Sequence, residues 1–239
     1  MKPKSDNLFH FTKSLDVLKM ILKNGILPRF CLEDVEWLGH SKHKYISFPM
    51  SCFCDIPLAR ISEHTDFYGN YGIGLAKSWG MKNGLNPVIY SPQGGHAQSI
   101  MKYLVAIKFE DEDKKSELNK KAYELLSLIK PIYGRVRVSG EFIEKQFYLE
   151  NEWRYVPPVI SAILYDDSYD EDANRANKDV EKYKLEISPT DIRYIFVNSD
   201  DDIPGLVDFI QAELAQFPLS DLKILQSRIV SLETLRKDL

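Results

Sequence analysis

Residues 147–158 read FYLENEWRYVPP, and their reading decides what kind of sheet the chain builds. The aromatic residues favour an extended strand. A two-residue period then places Tyr148, Glu150, Glu152, Arg154 and Val156 on one face, with Leu149, Asn151, Trp153 and Tyr155 on the other. A strand with two glutamates and an arginine in a row has two readings. It is a solvent-facing strand with weak cross-strand ion pairs, or it holds a carboxylate in place for chemistry.

The elements around it alternate between strand and helix. Residues 7–12, NLFHFT, form a short opening strand with His10 and Thr12 on one face and Phe9 and Phe11 on the other. Ser14 caps a following helix whose apolar residues Leu15, Leu18, Ile21 and Leu22 share a face, and Gly25 and Pro28 end it. The segment YISFPMSCFCDIPL (45–58) supplies β-formers broken by Pro49 and Pro57, ARISEHTDFYG (59–69) reads as a helix, and NYGIGLAKSW (70–79) returns to a strand. In that strand Gly72 and Gly74 leave the backbone open to close approach. NPVIYSP (86–92) and YLVAIKFE (103–110) are further strand candidates, and the charged 111–130 segment becomes a helix with Leu125, Leu126 and Ile129 on its apolar face.

Beyond the central stretch, the acidic segment at about 165–180 is short of apolar anchors and reads as a mobile excursion. DIRYIFV (191–197) is a buried strand, and two helices close the chain from about residue 203. In the second, Leu222, Ile224, Leu225, Ile229 and Leu232 form an apolar set best placed in the core. There is no internal repeat and no strong linker, so the expectation is one α+β domain over residues 1–239 with mixed, mostly antiparallel sheets and flanking helices.

Composition narrows the function classes. The chain is 44% hydrophobic and 28% charged, which suits a globular protein with a proper core, and its net charge of -4 lends nothing to non-specific nucleic-acid binding. No apolar run reaches membrane-spanning length and no signal-like segment opens the chain, so a cytoplasmic location is expected. Cys31, Cys52 and Cys54 are expected to be reduced thiols. His40, His43 and His64 lie near them, but Cys-x-Cys in a strand points its thiols to opposite faces, so no metal site is expected. Phosphate-binding loops, dinucleotide fingerprints and the nucleophile elbow of hydrolases are absent. The best local candidate for phosphate contact is KPIYGRVRV, with Lys130, Arg135 and Arg137 around Tyr133.

Four stretches taken together, LFHFTKSLDVLKMILKNGILPR, SCFCDIPL, HTDFYGNYGIGLAKSWGMKNGLNPVIY and NEWRYVP, resemble the AbiGi-type abortive-infection proteins of bacterial phage defence. That resemblance implies the antitoxin side of a two-gene pair whose other product is a nucleotidyltransferase-like toxin. A more distant resemblance is to ADP-ribosyltransferases of the DarT and PARP-like kind, carried by His10 and Thr12, by MILKNG, and by Glu152 in NEWRYVP. It implies an ADP-ribosyltransferase-like fold, NAD as substrate, and transfer of ADP-ribose to a macromolecule, either protein or nucleic acid. Bond cleavage at the ribose passes through an oxocarbenium-like state that a carboxylate stabilises. On this reading Glu152 and His10 are catalytic, with Glu150 in support, and His10, Thr12, Tyr68, Tyr71, Gly72 and Arg154 contact NAD. Thr12, Gly72 and Gly74 would receive the nicotinamide amide, and Arg154 would bind pyrophosphate or keep Glu152 ionised. The stacking tyrosine stays open among Tyr45, Tyr68, Tyr71 and Tyr90. The alternative is a non-catalytic partner that binds and neutralises its cognate toxin from a neighbouring gene, through the acidic excursion or the last helix.

Overall fold

The computed structural model describes residues 5–39, 44–106, 112–138, 140–158, 162–165 and 167–238. It is a mixed α+β structure whose sheets are mostly antiparallel, and the chain gathers into two compact units. The first comprises residues 1–27, 52–85 and 184–239, and the second residues 28–51 and 86–183.

In the first unit the strand Asn7–Thr12 is central. It pairs antiparallel along its whole length with Tyr71–Ala76, from Asn7 opposite Ala76 to Thr12 opposite Tyr71, and on its other edge Phe9 lies opposite Cys54. Tyr71–Ala76 pairs in turn with Ile192–Val197, which carries Ile229–Ser231 parallel on its far edge. The alternation expected of NLFHFT is present: Phe9 and Phe11 join Ile56, Ile61, Phe196 and Leu232 in the core, while His10 lies on the opposite face. The helix Leu15–Asn24 begins at Ser14, whose Oγ accepts from the Val17 amide at 3.3 Å, and stops at Gly25 with Leu18, Ile21 and Leu22 buried.

The chain's end departs from the expectation of two uninterrupted helices. After Asp202–Glu213 and Leu219–Gln226 comes the short strand Ile229–Ser231, and only then the one-turn helix Leu232–Leu235. Leu222, Leu225 and Leu232 are core residues and Ile224 is exposed. The run RIVS carries β-branched residues that the edge of Ile192–Val197 recruits, so tertiary pairing overrides a continuous apolar stripe.

In the second unit Arg29–Asp34 forms an antiparallel hairpin with Tyr45–Cys54, from Arg29 opposite Met50 to Asp34 opposite Tyr45. Ile163–Leu164 pairs with the same strand at Ser47 and Ile46. Glu152–Tyr155 pairs with Asn86–Pro87, Ile89–Ser91 runs parallel to Ile129–Pro131, and Tyr133–Val138 folds back on Glu141–Gln146. The helices are His96–Ala106, Glu112–Leu126 and Tyr169–Val180.

Three segments differ from the sequence expectation. The helix expected to carry Ile129 on its apolar face ends at Leu126, and Ile129 opens the strand Ile129–Pro131. Residues 103–106 of YLVAIKFE belong to the helix His96–Ala106 rather than to a strand, a case where a short apolar run does not distinguish the two. Residues 107–110 lie outside the described residues. The acidic segment at about 165–180 is no mobile excursion. It contains the helix Tyr169–Val180, anchored by Tyr169, Ala173 and Val180 against Phe30, and the Tyr169 hydroxyl hydrogen-bonds Ser47 Oγ at 3.1 Å. Three anchors spaced on one helical face suffice, and one of them is a small alanine that a count of large apolar residues overlooks.

Candidate functional site

The stretch FYLENEWRYVPP is only half strand. Phe147–Glu150 is a turn of 3-10 helix, Asn151 takes a left-handed conformation with φ 44°, and the strand is Glu152–Tyr155. Glu150 therefore does not share a strand face with Glu152, as the two-residue period predicts. Asparagine accepts the left-handed geometry more readily than most residues, which lets the chain change from helical to extended within one residue.

Glu152 and Arg154 do share a face, and it points inward. The Arg154 guanidinium has no exposed side-chain surface. Its Nε donates to Glu152 Oε1 at 2.8 Å, one terminal nitrogen donates to Glu152 Oε2 at 3.1 Å and to Glu33 Oε2 at 2.8 Å, and the other donates to the Ser127 carbonyl at 2.6 Å. Lys130 lies beside them. Its Nζ sits 3.0 Å from Glu152 Oε2, 3.2 Å from Glu150 Oε2 and 3.9 Å from Glu33 Oε1, with the Phe147 ring centroid 4.2 Å away. Lys145 closes the group with a 2.7 Å pair to Glu150 Oε1, and the Glu152 amide donates to the Tyr90 hydroxyl at 2.8 Å. Three carboxylates thus face three cations, and the cluster is neutral.

The charges set one another's ionisation. Burial alone would push the Lys130 ammonium down, but the carboxylates of Glu152, Glu33 and Glu150 outweigh it and hold it well above the usual lysine value. Burial would likewise raise Glu150, and Lys130 and Lys145 overcome it, keeping that carboxyl below its ordinary value. Lys145 is less compensated, so burial pushes it down against the pull of Glu150. The Tyr90 phenol is pushed up, chiefly by burial. Such a network rigidifies its surroundings only when its members are satisfied, and here both oxygens of Glu150 and Glu152 and Oε2 of Glu33 have a donor within 3.2 Å, while Glu33 Oε1 faces the Lys130 charge at 3.9 Å.

The remaining predicted site residues belong to the first unit. His10, half-buried, has its Nδ1 2.8 Å from the Cys52 carbonyl and its ring 5.3 Å from that of Phe53. Burial pushes the imidazole down and the Cys52 hydrogen bond works against it. Thr12 sits opposite Tyr71 on the neighbouring strand, the Tyr71 hydroxyl donates to Asp202 Oδ2 at 3.2 Å, and the Tyr68 ring lies 4.5 Å from that of His64, tilted by 32°. The room left by Gly72 is filled by the Phe11 ring, 2.6 Å from where a Cβ would stand, and that of Gly74 by Phe9 and Tyr194. The close approach is made by the chain's own aromatics.

Of the predicted set, the structure brings together Glu152 and Arg154, with Glu150 joined to them through Lys130. Glu33, Ser127 and Lys145 were not in the predicted set. Lys130, read as a phosphate contact, is instead a buried ion-pair member, and Arg137 of the same run forms a double hydrogen bond with Asp170 at 2.8 and 3.1 Å. The placement of Lys130 between Ile129 and Pro131, in a strand buried throughout, was the available signal. Among the described residues no three His, Cys, Asp or Glu side chains converge as metal ligands, and no helix is long and apolar enough to cross a membrane.

Comparison with known proteins decides the family. The family model described as abortive phage resistance protein AbiGi, antitoxin, matches residues 24–198. The chain belongs to the AbiGi family. The abortive phage resistance protein AbiGi of Lactococcus lactis subsp. cremoris is 31% identical over 247 residues, which covers 90% of this chain and 99% of that protein. No solved structure matches. The AbiGi match spans both the hairpin that supplies Glu33 and the strand that supplies Glu152 and Arg154, so the whole charge cluster lies inside the family region.

Proposed function

We propose that this AbiGi chain acts on the antitoxin side of an abortive-infection pair, in the bacterial cytoplasm, by binding and neutralising a nucleotidyltransferase-like toxin encoded beside it. The observation that carries this reading is the state of Glu152. An NAD-cleaving enzyme needs a carboxylate free to face the ribose as positive charge develops, whereas the Glu152 side chain is 6% exposed and already bonded to Arg154 and Lys130. Family membership supports the same side of the pair. Under this reading the charge cluster holds the fold of the second unit, and function resides in surface contacts.

The competing reading, ADP-ribose transfer from NAD with Glu152 and His10 as catalytic groups, makes a different prediction in one experiment. The chain is co-expressed with the product of the neighbouring gene, the complex is isolated, and NAD is titrated into the chain by calorimetry. The proposal expects growth to be restored, the two proteins to co-purify, and the NAD titration to give no heat. Saturable NAD binding together with no complex would overturn it in favour of the transferase.

A further inference from the structure

The second unit holds a cavity of about 660 Å³ that the charge cluster does not touch, between the 3-10 turn Glu36–Leu38, the loop before His96–Ala106 and the start of Tyr133–Val138. Its size is within the range of small-molecule pockets.

Two buried polar side chains shape it. Asp34 accepts from the Glu36 amide at 2.9 Å and from the Arg135 amide at 2.8 Å, tying two walls together through one carboxylate. Gln98 accepts from the Gly94 amide at 2.6 Å and donates to the Trp37 carbonyl, tying the third. The Trp37 indole in turn donates to the Asp34 carbonyl at 3.0 Å. The polar atoms of both side chains are therefore engaged with backbone, and the cavity is pre-formed.

Beside Ser91 and Gln93, the lining offers a ligand aromatic surface and one positive charge. Trp37 and Tyr133 line the cavity, and Tyr133 is 68% exposed. Of the charged lining groups, Glu36 is paired with Lys44 at 3.1 Å and Asp34 is engaged as above. Lys102 has no carboxylate partner among the described residues, and its ammonium lies 3.6 Å from where a Cβ on Gly39 would stand. The left-handed Gly39, at φ 70°, leaves that position open.

We infer that this cavity binds a mononucleotide, its base against Trp37 and Tyr133 and its phosphate on Lys102. A ring of that size meets the aromatic wall, stacking is tolerant of which base is present, and an ammonium is a natural point contact for phosphate. This inference is independent of the toxin-binding proposal, because the residues concerned are tested without any partner protein.

The test is calorimetric titration of the full chain with AMP and UMP, with adenosine, inorganic phosphate and a short single-stranded oligonucleotide as separate arms. Both mononucleotides are expected to bind. Adenosine and phosphate should each bind more weakly, and Lys102→Ala should lower mononucleotide affinity by about tenfold or more. Tyr133→Ala should also lower it. Both positions are exposed, so both variants should fold, and Lys223→Ala, on a different helix, should bind as the parent does. Phosphate alone binding as tightly as AMP, an unchanged Lys102→Ala, or binding of the oligonucleotide without the mononucleotides would overturn the assignment.

Discussion

Nε of Arg154 donates to Oε1 of Glu152 at 2.8 Å from two residues along the same strand, and no part of the arginine side chain reaches solvent. Neighbours on one strand face stand about 6.6 Å apart, a span that an arginine and a glutamate bridge when both side chains turn toward shared partners. Here Glu33 and Lys130 supply the partners. The pair is a keystone for the surrounding strands rather than a surface ornament, and its removal should be felt throughout the second unit.

Arg154→Lys is expected to destabilise the protein by about 2 to 4 kcal/mol, measured by urea unfolding. Lysine keeps the charge but cannot serve Glu152, Glu33 and the Ser127 carbonyl at once, so buried acceptors lose their donors. A loss below about 0.5 kcal/mol would place the variant among ordinary surface changes and contradict the role assigned to the guanidinium.

Acid should weaken the protein through Glu150. Its carboxyl is held below the ordinary glutamate value, so the folded state releases that proton more readily than the unfolded chain. The stabilisation is complete above the unfolded value of about 4.3 and is lost as pH falls from there through the lower folded value. Replacing Glu150 with Gln removes this titration. Unfolding free energies taken at successive pH values should fall more steeply for the parent than for Glu150→Gln below about pH 4.3, and equal slopes would count against it.

His10 should titrate below the free imidazole value of about 6.5, because burial dominates over the hydrogen bond to the Cys52 carbonyl. The group is neutral in the folded protein at pH 7, and its contribution is intact above about 6.5 and declines as pH drops toward the folded value. A proton NMR titration of the His10 ring gives the midpoint directly. A midpoint above 6.5 would mean that the hydrogen bond to the Cys52 carbonyl outweighs burial, reversing the order of the two effects.

Gly69 and Gly84 separate two effects of glycine. Both have positive φ, at 120° and 75°, but a Cβ on Gly69 would stand 2.2 Å from the Thr12 carbonyl oxygen while one on Gly84 meets nothing within 4 Å. Gly84→Ala should therefore cost only the conformational strain, about 1 kcal/mol, and Gly69→Ala clearly more. Thermal melts showing equal losses would mean that the strand bearing Thr12 shifts freely, against its full-length pairing with Tyr71–Ala76.

Much of this architecture was legible from local chemistry. Ser14 and Gly25 bound the first helix, and the alternation in NLFHFT sorts Phe9 from His10, because both signals act within a few residues. What failed depended on distant partners. A strand read through Glu150 ignored the left-handed Asn151, after a turn that brings Glu150 to Lys130 and Lys145. Lys130 reads as basic and exposed until three carboxylates from two other segments surround it. The acidic helix was hidden because its anchor Phe30 is more than a hundred residues upstream. In the site, the sequence sets Arg154 beside Glu152, and these two do bond directly, but nothing near them in the chain points to Lys130 as a second cation on that carboxylate.

Glu152→Gln distinguishes a carboxylate that supports the fold from one that performs chemistry. In the supporting role, the variant loses one charge of a balanced cluster and leaves Arg154 and Lys130 with a weaker acceptor, so stability should drop by about 2 to 4 kcal/mol. Toxin neutralisation in co-expressing cells should then fall only as far as the folded fraction falls, and Glu33→Gln, which removes a carboxylate of the same cluster that the transferase reading does not use, should follow the same relation to its folded fraction. In a catalytic role, Glu152→Gln would abolish protection outright while Glu33→Gln lost it only in step with its folded fraction. Thermal melts of both purified variants, set beside growth in cells carrying the toxin, supply the two axes. If the Glu152 variant loses protection well beyond its loss of folded protein, and the Glu33 variant does not, the carboxylate acts on a substrate and the surface-binding proposal is wrong.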